Sequence, residues 1–281
     1  MMGLWNRILG KLSPAASMQV PLPDLETLAR PAVQLVVADV ATLSHFGGVP
    51  CLPQGIAWPE RDGKRLDFLA RLSLPEVQRA HPVDWLPASG ALLFFYDMEG
   101  DRWGFDPSDR GSFAVLRVPD LMAPHGHGDT GSATEPQCLP RRGVACRRID
   151  ALPSLERGGF QGKRMSDEVT QRYLDAQEAA FQGRPRHQVS GYPSPVQGDD
   201  MELQCQLVTH GLYCGDSSGY RDPRAAPLRA GAAEWRLLLQ MDTDDELDVM
   251  WGDCGTLCFW VQEQKARTGD FADAWLAMQC Y

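Results

Sequence analysis

The sequence has no long apolar run, no Cys-x-x-Cys pair and no excess of basic residues. Each absence excludes a class of protein. Without a stretch of about 20 apolar residues, the chain offers no transmembrane helix. A formal net charge of −10 at pH 7 argues against a nucleic-acid binder, because phosphate contacts need a basic surface. The cysteines (Cys51, Cys138, Cys146, Cys205, Cys214, Cys254, Cys258 and Cys280) are scattered through a chain too long and core-rich for a small disulfide-stapled domain. Most of them read as small buried hydrophobes in a reducing compartment. No phosphate loop or dinucleotide fingerprint occurs, so no cofactor is expected.

With 281 residues, 43% of them hydrophobic, the chain can build a sizeable core without a disulfide or metal staple. The first residues, MMGLWNRILGKLSPAAS, have no apolar run as long as that of a secretion signal. Trp5, Ile8, Leu9 and Leu12 fall at helical spacing and predict a short amphipathic helix, docked or frayed, with membrane-surface contact as the alternative. These features point to a cytoplasmic protein.

Internal similarity organises the rest. GVPCLPQ (48–54) and GYPSPVQ (191–197) share Gly-x-Pro-x-x-x-Gln. LDFLARL (66–72) matches WRLLLQM (235–241), and GALLFFYD (90–97) matches GTLCFWVQ (255–262), in the same order. Short apolar, aromatic-rich runs bounded by Gly and Pro predict buried strands, SFAVLRV (112–118) among them. Helices are predicted from the Ser166/Asp167 cap to Gly183, and from the Asp199/Asp200 cap to Gly211. Residues 119–140 read as a long loop.

Several motifs carry possible chemistry. GDSSG (215–219) matches Gly-x-Ser-x-Gly, but a nucleophile elbow needs a strand before it and a helix after it. A helix is predicted before it and Pro223 follows, so Ser217 reads as part of a surface turn. MDTDDELD (241–248) invites calcium, yet Leu247 occupies the position where a calcium loop requires Gly. A solvated hairpin turn explains it more simply. His125 and His127 are zinc ligand types without zinc spacing, and His187 has no visible partner. RRGVACRR (141–148) reads as a solvated arginine loop, or as a contact for an acidic group on a partner. Asp253 is read first as a turn residue, with Ser89 in the corresponding turn of the first half; ligand contact and catalytic acid are the other roles open to it.

The ordered set FGGVPCLP, WP, LDFLARL, GALLFFYD, HQVSGYPSPVQ, WRLLLQMDTDDE, MWGDCGTLCFW and the terminal QCY resembles the YwqG-like family, a bacterial domain of unknown function, over about Leu35 to Tyr281. The family pattern has Gln where Arg71 stands, a departure the Gln240 half does not share. The resemblance implies one α+β domain over residues 31–281, mainly antiparallel strands with intervening helices around a shared core. Its two related halves (about 31–118 and 187–281) are joined by a loop and helix (119–186), after an N-terminal amphipathic segment (1–30). Family members occur near bacterial toxin genes, which suggests an immunity or accessory role.

Two functions are expected. The first is a non-catalytic cytoplasmic binding protein that masks a protein partner, with a basic toxin as the candidate, through Trp58, Tyr192, Trp251 and Asp253. The second is a small-molecule or enzyme site at the seam between the halves, where Gln54 and Gln197 present paired amides. No catalytic residue and no metal ligand is assigned.

Overall fold

The computed structural model describes residues 23–39, 41–119, 139–157, 160 and 165–281. The helix expected around Trp5–Leu12, the His125–His127 loop and Cys138 lie outside the described residues. A single turn α1 (Leu25–Leu28) leads into β1 (Arg30–Ala38), β2 (His45–Phe46) and the hairpin β3 (Glu60–Arg61) and β4 (Lys64–Arg65). There follow β5 (Asp67–Ser73), α2 (Leu74–Ala80), β6 (Ala91–Tyr96), β7 (Phe113–Val118), β8 (Arg142–Ala151) and α3 (Asp167–Phe181). Next come β9 (Gln188–Val189), α4 (Met201–Val208), α5 (Ser217–Arg221) and α6 (Ala225–Leu228). The chain ends with β10 (Trp235–Asp242), β11 (Thr256–Gln262), α7 (Glu263–Thr268) and β12 (Trp275–Gln279).

Ten strands form one sheet in the order β12-β11-β10-β9-β1-β8-β2-β5-β6-β7, antiparallel throughout. The five strands expected from the apolar runs form within a residue of their predicted ends, because β-branched and aromatic side chains pack well on a pleated surface. The sheet is nearly closed. Its edge strands meet where Phe113 of β7 packs edge-on against Trp275 of β12, 5.0 Å between ring centres. Met278 N–H donates to Trp103 O at 2.9 Å and the Trp275 indole donates to Gly104 O at 2.7 Å, so backbone groups at the β12 edge are satisfied. The main core fills the concave side, with Phe46, Leu72, Phe94, Leu239, Phe259 and Trp260 fully buried.

Both predicted longer helices are present. Ser166 caps α3 by accepting from Val169 N–H at 3.2 Å, and Gln182 ends it in a left-handed conformation at φ 57°. No helix among the described residues is long and apolar enough to cross a membrane.

The arginine stretch 141–148 corrects the sequence expectation. It is not a loop: residues from Arg142 onward form β8, paired with β1 from Arg30↔Ala151 to Ala38↔Gly143 at the centre of the sheet. Three arginines disguise a strand whose Val144 and Ile149 are buried. Arg147 lies across β8 to donate to Gln34 Oε1 and to Ala180 O, while Gln34 donates to Phe181 O at 3.2 Å. The carbonyls at the end of α3 are thereby tied to the sheet. The stretch 242–249 is likewise more than a solvated turn, since Asp244 is buried and pairs with His187.

Candidate functional site

Three glutamines stand side by side across the sheet, Gln34 on β1, Gln188 on β9 and Gln240 on β10, all fully buried. Buried amides need partners, and each of these reaches backbone, although Gln188 Oε1 is left without a hydrogen bond among the described residues. Gln240 Oε1 accepts from Ser194 N–H at 2.9 Å. Gln188 donates to the carbonyls of Ser190 and Tyr192. On β12, Gln279 accepts from Val196 and Gln197 N–H at 2.9 and 3.2 Å and donates to Gly198 O at 2.8 Å. The segment 190–198, which includes the second Gly-x-Pro motif, is therefore stitched to the sheet residue by residue.

The start of that segment, Ser190 and Gly191, lines an open cleft of about 600 Å³, held there by Gln188 on Ser190 O and by Ser190 N–H on Leu237 O. Arg30 and Pro31 at the start of β1 and the turn His81–Trp85 after α2 supply one side. Ser190 and Gly191, the start of β10 with Trp235 and Arg236, and Glu202 of α4 supply the other. Arg157, between β8 and α3, completes it. The volume lies within the range of small-molecule sites, roughly 300–1,000 Å³.

The backbone at the cleft is constrained. Ser190 holds φ 64°, a left-handed conformation uncommon for a residue with a side chain, and Gly191 follows at φ 75°. A Cβ at position 191 would stand 2.6 Å from Ala32 Cβ, so only glycine lets the segment approach β1.

Tyr192 is half-buried, with the Arg30 guanidinium over its ring at 4.2 Å and that of Arg157 at 5.1 Å. Arg157 is braced by Asp199, through a bidentate contact, and by Glu202 at 2.9 Å. Burial opposes its charge, but the Asp199 hydrogen bond and the Glu202 charge outweigh burial and hold its pKa above the ordinary value. Arg236 pairs with Glu263 at 2.6 Å, and Asp84 pairs with Arg267 at 3.2 Å.

The other expected site residues are dispersed. Trp251 is 3% exposed and packs against Tyr96, with ring centres 6.2 Å apart, so it belongs to the core and offers no surface anchor. Trp58 is half-buried, donates its indole N–H to Leu66 O at 2.9 Å and packs on Phe95. Gln54 and Gln197 are exposed and neither lines the cleft. Asp253 is exposed in the turn closed by Gly255 N–H to Trp251 O at 2.8 Å, and its carbonyl accepts from Tyr281 N–H. With Gly90 set against Gly255, Cys254 rather than Asp253 falls opposite Ser89. Beside that turn, a second opening of about 380 Å³ is lined by Ser194, Thr243, Cys254 and Tyr281 among others.

Ser217 is exposed and begins the short helix α5, with Asp216 as its cap, and no strand leads into it. His187 has the partner that the sequence did not reveal. Its Nδ1 accepts from Asp242 N–H and its Nε2–H donates to Asp244 at 3.0 Å, so both ring nitrogens serve packing. Burial opposes the Asp244 charge, but the His187 hydrogen bond and the Glu246 N–H overcome it and lower that carboxyl's pKa. Among the described residues, no group of three or more His, Cys, Asp or Glu is placed to share a metal ion.

A curled antiparallel sheet with helices packed against it and an open cleft beside β1 and β9 defines the molecule's class. The chain belongs to the family described as a domain of unknown function, DUF1963, whose model matches residues 44–280. No curated protein matches it significantly.

Proposed function

We propose that this is a non-catalytic binding protein whose ligand, a small molecule, enters the cleft at the seam between two related halves. The carrying observation is the cleft itself, about 600 Å³ and built from both parts of the chain, with a stitched wall and the strained Ser190 at its lining. Backbone strain of this kind persists only where the surroundings enforce it, and it concentrates at ligand sites. The test is native mass spectrometry after incubation with the small-molecule fraction of a cell lysate. Wild type is expected to retain a bound species that Ala233→Trp, which plugs the cleft from its exposed rim, loses. Retention unaffected by the plug overturns the reading.

Duplication and YwqG-like kinship belong to the same proposal. The sheet order is balanced about the β1–β8 pair. β2 and β9 are each two residues long and each lead into two positive-φ residues, Gly47 and Gly48 or Ser190 and Gly191. β5 and β10 both carry an irregularity, and His45↔Arg71 corresponds to Gln188↔Gln240. Arg71 thus takes the place of the structural glutamine in the first half and donates to Leu43 O at 2.6 Å.

A second reading keeps the bacterial cytoplasmic immunity or accessory role, masking a basic protein partner. It is favoured by the net charge of −10 and by the exposed Met250 (63%) and Tyr281 (82%) near Asp253. Trp251 does not contribute to it.

A further inference from the structure

We infer that the seam cleft takes a small oxyanion, a molecule bearing a carboxylate or phosphate group, with Arg30 as its charged anchor. The inference rests on the proposed role of the cleft as a ligand site and adds the ligand's chemistry. Its first support is how the charges lining the cleft are already committed. Glu202 is engaged by Arg157, Asp84 by Arg267, and Arg236 by Glu263. Arg30 is exposed and has no carboxylate partner among the described residues. Arg157 is answered by two carboxylates, Asp199 and Glu202, so the pairs add no surplus positive charge, and the one guanidinium of this set left without a carboxylate is that of Arg30, at the start of β1.

The second support is pre-organisation. Seated over the Tyr192 ring, the Arg30 guanidinium keeps its in-plane N–H groups available, and a planar fork of donors matches two oxygens of a carboxylate or phosphate. Tyr192 is itself held from the sheet through Gln188, which donates to its carbonyl. Arg157 uses Nε and Nη2 on Asp199 and Glu202, which leaves Nη1 with no hydrogen bond among the described residues. The Ser190 hydroxyl also has no partner among the described residues, which makes it a neutral donor beside the two cations. Tyr192, expected from the sequence as a binding residue, then acts as the platform for Arg30 rather than as a direct contact.

The test titrates ¹⁵N-labelled protein with inorganic phosphate and with citrate at fixed ionic strength, following backbone amide resonances. Acetamide and glycerol serve as uncharged probes. Wild type is expected to show saturable shifts at Ser190, Gly191 and Leu237 with at least one oxyanion. Arg30→Gln is expected to weaken that binding at least tenfold, Arg30→Lys to restore part of it, and Arg148→Gln on the exposed face of β8 to leave it unchanged. Arg30 is exposed, so its variants should fold, and their spectra check this directly. Equal oxyanion binding by wild type and Arg30→Gln overturns the inference. Saturable cleft shifts with acetamide or glycerol but with neither oxyanion also overturn it, while leaving the cleft reading intact. If neither probe class moves these resonances, both the inference and the reading beneath it fall.

Discussion

Removing Arg157 would leave the Asp199 side chain, 1% exposed, as an uncompensated buried charge. Breaking such a pair from one side costs about 3–5 kcal/mol, because desolvation of the remaining ion goes unanswered. Arg157→Gln is therefore expected to lower the urea midpoint sharply, and Arg157→Gln with Asp199→Asn to recover part of the loss. Ser190 gives the opposite sign. A left-handed residue with a Cβ costs about 1–2 kcal/mol, so Ser190→Gly is expected to raise stability by about 1 kcal/mol while weakening ligand binding. His45 sets a pH response. Burial, with the charges of Arg141 and Arg71, lowers its pKa from 6.5 to about 4, and its Nδ1–H donates to Gly47 O. The unfolded chain takes up that proton below pH 6.5 while the folded chain does not until about pH 4. Stability should thus fall with acid across that window by about 3 kcal/mol, and His45→Gln should flatten the slope in denaturation curves. Of these residues the sequence disclosed little. A lone His or Arg in a string carries no sign of the charges that folding brings beside it, Arg141 and Arg71 for His45 and Asp199 for Arg157.

The segment 190–198 shows how an element without regular structure becomes a fixed wall. Its amides at Ser194, Val196 and Gln197 end on Gln240 and Gln279. Replacing either glutamine with Leu strands those donors, at about 1–3 kcal/mol for a buried group left unpaired. Amide hydrogen exchange at Ser194 should quicken in Gln240→Leu, and at Val196 in Gln279→Leu. At this scale the sequence was partly legible. Apolar runs identified β5, β6, β7, β10 and β11, whose residues face packed surroundings and need no specific partner. β8 was hidden because its arginines answer to Gln34 and to the end of α3, partners far away in sequence. The glutamine inside WRLLLQM was the available signal for the stitching, and the one inside AVQLVVA for the tie to α3, since a polar residue within a buried apolar run must bond something.

Across the whole molecule, the curled sheet brings β7 to β12 and sets the start of β1 beside β9 and β10. Trp275 holds the closure from β12, packing on Phe113 and donating to Gly104 O. Trp275→Ala is expected to cost about 3–5 kcal/mol and to expose the β12 edge, which calorimetry and exchange at Met278 would register. A seam site was expected from the internal similarity, with Gln54 and Gln197 in it, but the residues that line the cleft were not legible, because its walls come from segments that only the curled sheet makes neighbours. The proposed role of this seam is ligand binding. Its most direct test is a map of amide shifts as small charged and uncharged probes are titrated in. Saturable changes centred on Arg30, Ser190, Gly191 and Leu237, abolished by Ala233→Trp, are expected. Changes centred instead on Met250, Cys254 and Tyr281, and indifferent to that plug, would contradict it.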